Sequence, residues 1–296
     1  MPYCNLVKIL MVCTCNAFFL SAQDIITVTN ITSSSEIYKT ISPDMARSNA
    51  LNDAKIEALK RAGIAESIKN YGILYNADVS GNRSQFFSQE TFSELNGAVV
   101  SYTIISEGTS ISEGTSISKP QKISYTLTLN AQVIKYNSKP DPNFTQSIKG
   151  IEAVYKDKSN ITFEITSSQK AYVTIFNISE HEQCVLFPNA EEASRPLWPN
   201  TPLQFPILKK IKLEQGLQDQ FKPEMEYEYT ISKSGANKEV NRLIFVFTKE
   251  PTTFVKYNTD AQGNTTITNQ DVIYNWIYQF QPHQRNVEVF TFSIYK

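Results

Sequence analysis

At 296 residues, with 41% apolar and 19% charged side chains, the chain is long enough for two domains and too apolar for disorder. A formal net charge of −1 supplies no global field to recruit nucleic acid or acidic lipid. Its ten glycines form neither G-x-G-x-x-G nor G-K-[ST], so phosphate-cradling loops are not expected.

Residues 1–23 read as a signal peptide. A single lysine, Lys8, precedes an uncharged, mostly apolar run from Ile9 to Leu20, followed by small and polar residues. That run falls short of the roughly 20 residues needed to span a bilayer. Cleavage near Ala22 or Gln23 leaves a mature chain in which no transmembrane helix is expected. The ending "SAQ" resembles bacterial export leaders, which implies a periplasmic or cell-surface location. Cys13 and Cys15 lack a small residue just before them, which disfavours a lipid anchor. Cys184 then stands alone, and a lone thiol allows neither an intramolecular disulfide nor a zinc site with several thiolates. The Asn-x-Ser/Thr triplets at Asn30, Asn82, Asn143, Asn160, Asn177 and Asn264 are read as accidents of composition.

"DIITVTNI" predicts a strand. "SPDMARSNALNDAKIEALKRAGI" predicts a helix, with Ser42 as N-cap, Pro43 in the first turn and Gly63 as the left-handed stop. Alanine recurs at positions 46, 50, 54, 58 and 62, a small-residue ridge suited to close approach to a sheet. A short helix is expected over "SQFFSQETFSELNG", ended by Gly97, then strands over "AVVSYTII" and "ISYTLTLNAQVIKY". The tandem "ISEGTSISEGTS", Ile105 to Ser116, is expected to lengthen the hairpin loop between those strands. "NSKPDPNFTQS" breaks every period and marks a boundary. Beyond it come short strands, from "NITFEIT" to "NVEVFTFSIY", and one helix over "NQDVIYNWIYQF" that should dock on the last strand's sheet.

The fold class expected is α+β. An N-terminal module over residues 24–138 has one long Ala-rich helix on a small antiparallel sheet. A linker over 139–149 leads to a mainly β, sandwich-like module over 150–296 with one C-terminal helix.

Candidate chemistry is sparse. His181 lies three residues before Cys184, a spacing that invites a Cys-His nucleophile or, with Glu182, a metal site. No paired acid or nucleophile turn accompanies them, so Cys184 is expected to point into a sheet as a small apolar residue. His283 is expected to be a solvated loop residue. Glu224, Glu226 and Glu228 share a strand face by period two and are read as a solvated row, as is "KKIK" at Lys209 to Lys212. Catalytic, cofactor and metal residues are therefore expected to be absent. "FPNAEEASRPLWPNTPLQFP" holds Trp198 among prolines, including Pro196 and Pro199. Trp198 either forms a recognition surface with those two prolines or plugs the end of the β module, and the plug is preferred.

The helix pattern from Ala46 to Gly63, followed by "LNGAVVSYTIISEG" and "YTLTLNAQVIKY", is similar to the N-terminal domain of flagellar-assembly protein T and to related small surface lipoproteins. "AYVTIFNISEHEQCVLFPNA", "LQFPI" and "RLIFVFTKEP" resemble bacterial domain-of-unknown-function family 4384. Neither resemblance lends catalytic residues. Together they imply an exported, non-enzymatic envelope protein whose partners are envelope or surface proteins. The alternative is a module that binds a glycan or peptidoglycan fragment through Trp198 and nearby tyrosines.

Overall fold

The computed structural model describes residues 24–38, 40–64, 96–112, 122–179, 183–189, 192–206, 209–210, 223–224, 229–230, 238–254, 258–259, 265–267 and 270–295. The leader, His181, Glu182, Glu226, Glu228 and the helix expected up to residue 95 lie outside them. Within them the protein is a sheet-rich α+β structure. Among the described residues no helix is long and apolar enough to cross a membrane.

Strand β1 (Ile25–Ile37) leads into helix α1 (Pro43–Arg61), then β2 (Gly97–Ser112) and β3 (Lys122–Lys135). The three strands form an antiparallel sheet in the order β1-β3-β2. The ends of α1 follow from local chemistry. Ser42 accepts from the Met45 amide at 3.2 Å, and Pro43 needs no partner for the amide hydrogen it lacks. At the other end Gly63 has φ +78°, with Ile64 N–H donating to Leu59 O and Gly63 N–H to Lys60 O, each at 2.9 Å. That reciprocal pair satisfies carbonyls the helix would otherwise leave open. Ala46, Ala50, Ala54 and Ala58 are fully buried. Ala50, Ala54 and Ala58 share a cluster with Ile31 of β1 and with Leu127, Leu129 and Val133 of β3.

Gly97 opens β2, and the helix expected before it lies outside the described residues. One expectation fails here. The tandem repeat does not sit wholly in a loop: β2 carries its first copy, and Thr109 and Ile111 pair with Tyr125 and Ile123. The unit has six residues, an even number, so a copy extends a strand while keeping each side chain on its face.

The remaining strands are β4 (Gln146–Lys149), β5 (Val154–Lys156), β6 (Asn160–Ile161), β7 (Phe163–Ser167), β8 (Tyr172–Ile178), β9 (Gln183–Phe187) and β10 (Leu203–Phe205). They continue with β11 (Lys209–Lys210), β12 (Pro223–Glu224), β13 (Tyr229–Thr230), β14 (Lys238–Thr248), β15 (Asn258–Thr259) and β16 (Thr265–Thr266). Helix α2 (Gln270–Tyr278) and β17 (Arg285–Tyr295) close the chain. A seven-stranded sheet runs β15-β16-β9-β8-β14-β17-β5, and a three-stranded one runs β10-β7-β4. The stretch expected to be linker, 139–149, thus ends in β4, whose Ile148 pairs with Ile165 of β7.

Strand β14 lies inside the larger sheet, between β8 and β17, so its apolar run serves both faces. Leu243, Phe245 and Phe247 face a phenylalanine-rich cluster with Phe163, Phe187 and Phe205. Phe163 stacks on Phe205 at 5.4 Å between centroids and meets Phe245 edge-on at 5.3 Å. Ile244 and Val246 face the opposite way, into the cluster that holds the α1 alanines. Ile273, Trp276 and Ile277 of α2 belong to that same cluster, so α2 reaches the first sheet as well as the seven-stranded one.

Polar contacts reinforce this junction. The Tyr136 hydroxyl donates to Tyr278 O at 2.8 Å, and the Arg285 guanidinium lies 5.4 Å from the Tyr136 ring centre. His283, expected to be solvated, is half-buried, with Nδ1 2.7 Å from Ser138 Oγ. A 3-10 turn over Pro282–Gln284 holds it against the segment that follows β3, an arrangement no local sequence pattern reveals.

Candidate functional site

The stretch linking β9 to β10, described over residues 188–189 and 192–202, makes isolated bridges from Leu197 to Ala171 and from Pro199 to Ser167, the last residue of β7. It is tied down at both ends. Asn189 donates through Nδ2 to Leu186 O at 2.7 Å and accepts the Glu192 amide on Oδ1 at 2.8 Å, a side chain standing in for a backbone turn. Further on, Ala171 and Leu197 exchange both backbone hydrogen bonds, at 3.1 and 2.7 Å, and the Asn200 amide donates to Ser167 O at 2.7 Å.

Local sequence then shapes the tip. Thr201 N–H donates to Trp198 O at 3.1 Å, closing a four-residue turn over Trp-Pro-Asn-Thr. Proline pre-sets its second position, and Asn200, with φ 55°, occupies the third, where a type II turn demands a positive φ. Leu197 is 1% exposed and plugs the phenylalanine cluster, whereas Trp198 is 57% exposed. The preferred expectation that Trp198 is the plug is therefore corrected. Neighbouring residues of an extended segment point to opposite sides, and Leu197 takes the inward one. Pro196 is half-buried and Pro199 exposed, bridged to Ser167.

Trp198 does not stand alone. The Lys170 ammonium lies 5.5 Å from its ring centre and 5.6 Å from that of Tyr172, within cation-π range of both. Lys170 is placed by the turn between β7 and β8. Ser168 Oγ accepts the Thr145 amide at 2.9 Å and donates to Asn143 O at 2.6 Å. Gln169 Nε2 donates to Asp141 Oδ2 at 3.1 Å, and the same carboxylate receives Lys249 Nζ at 2.5 Å. Lys249, then the Asn143 amide and Gln169, hold the Asp141 carboxyl down from the usual carboxylate range to about 2. A proline-rich stretch that reads as linker is thus a brace for the turn carrying Lys170.

Lys170, Tyr172 and Asp141 carry no sequence signal that separates them from other surface residues. The pairing of Ala171 with Leu197 is what brings them to Trp198. Of the other candidates, Cys184 and Glu224 lie among the described residues and stand elsewhere. Cys184 is half-buried in β9, paired opposite Asn177 and Thr266. Glu224 lies in β12, whose Cα partner for it is Lys209 of β11. Among the described residues, no group of three or more His, Cys, Asp and Glu side chains is placed to hold a metal ion. In comparisons with known proteins, the chain matches no protein-family model and no curated relative.

Proposed function

We propose that this is an exported, non-enzymatic bacterial envelope protein that acts by contact with other envelope or surface proteins, with the Trp198 turn as its contact point. The reading includes two modules, the Ala-rich helix on its small sheet and a sandwich-like β module, in line with the two family resemblances and the leader. One observation carries it. A large aromatic ring, 57% exposed, is presented by a turn already closed by hydrogen bonds and a proline, so little entropy remains to be lost on binding. The test compares envelope proteins cross-linked through a photoreactive residue at the exposed position Thr201, with Trp198 present and with Trp198→Ala. Loss of a defined cross-linked band in the variant, at unchanged melting temperature, is expected. An identical pattern in both would reject the turn as the contact point.

A second reading, a glycan or peptidoglycan-fragment binder, is favoured by the setting of Trp198. Asn200 and Thr201, in the same turn, are polar and exposed, and they offer hydrogen-bonding groups beside the ring of the kind that sugar hydroxyls use.

A further inference from the structure

We infer that Trp198, Tyr172 and Lys170 form a subsite for an acidic sugar residue. The inference rests on the glycan reading of this surface. Lys170 is exposed and, among the described residues, makes no ion pair, while Lys249 is neutralised by Asp141. Lys170 therefore brings a positive charge without a carboxylate partner among the described residues to the ring of Trp198.

Ring chemistry supplies the second half. A pyranose presents a face of weakly positive C–H groups, which complements the negative face of an aromatic ring. Trp198 offers an exposed ring on a fixed turn, and the half-buried Tyr172, first residue of β8, brings a second ring to the same ammonium. The Lys170 ammonium sits about equally far from both rings, at 5.5 and 5.6 Å. It has three N–H donors, and ring faces occupy them only weakly. A carboxylate on the edge of a stacked sugar would meet those donors in a charge-assisted hydrogen bond. A neutral sugar would satisfy the rings and leave the ammonium idle. An acidic peptide would satisfy the ammonium but lacks the flat C–H face that an aromatic ring recognises.

The experiment follows the indole N–H signals of the full chain by NMR during titration. Its two tryptophans differ, since Trp276 is buried, so the exposed indole reports separately. The probes are a galacturonic acid tetramer, a galactose tetramer and a hexaglutamate peptide. The galacturonate should shift the Trp198 signal at low millimolar concentration or below, with affinity falling as salt rises. Lys170→Gln should weaken binding about tenfold, the loss of one charge-assisted hydrogen bond, at unchanged melting temperature. Equal affinity for galactose and galacturonate tetramers would overturn acid recognition and leave the glycan reading standing. Equal affinity for hexaglutamate would overturn sugar recognition. If neither sugar moves the Trp198 signal, the glycan reading fails and this inference with it, whatever the cross-linking result.

Discussion

The two faces of β14 meet different partners, and their side chains differ accordingly. On one face, sheet packs on sheet and the gap is filled by Phe163, Phe187, Phe205, Phe245 and Phe247. Facing sheets sit about 10 Å apart, and aromatic rings fill that depth in stacked and edge-on pairs. On the other face, the cluster runs on past α2 to the contact of α1 with its own sheet, where Ala50, Ala54 and Ala58 supply the helix side. A small-residue ridge lets the helix backbone approach closely, and the bulk comes from Leu127, Leu129 and Val133 beneath it. One contact is thick and loses most when emptied. The other is thin and loses most when filled.

That contrast can be broken from either side. Phe245→Ala should have the largest effect, a loss of about 3–5 kcal/mol in chemical unfolding, because a fully buried ring leaves a cavity among Phe163, Phe247 and Phe290. Ala54→Leu should cost about 1–3 kcal/mol by overpacking; an unchanged midpoint would mean the helix can lift from its sheet freely. Smaller again is Asp141→Asn. With its folded value lowered to about 2, this carboxylate stabilises the fold above the ordinary range near pH 4, and that contribution fades as pH falls toward 2. The melting-temperature gap between wild type and Asp141→Asn should therefore close across that window. A gap independent of pH would refute the brace. Trp198→Ala should change stability least, within about 0.5 kcal/mol, because the exposed ring contributes little to the core that Leu197 plugs.

Much of the local architecture is legible in the residues themselves. Ser42, Pro43 and Gly63 act through their own backbone and nearest turns, so the limits of α1 need no distant partner. The long apolar run of β14 reads as a strand for the same reason. The tandem repeat misleads because loops and exposed strands share Ser, Thr and Gly; only pairing with β3 decides between them. Likewise "NSKPDPNFTQS" looks like a plain linker, although Asp141 and Asn143 brace the Lys170 turn across more than twenty positions of sequence.

The candidate site divides along the same line. From sequence alone come Trp198, its flanking prolines and the Asn200 that suits a left-handed turn position, all set by short-range backbone preference. Which of Leu197 and Trp198 turns inward is a tertiary matter, settled by the hydrogen bonds to Ala171 and by the room left in the phenylalanine cluster. The same pairing brings Lys170 and Tyr172 to the tryptophan. Local sequence can write a turn, but only a long-range register can choose the side chains that surround it.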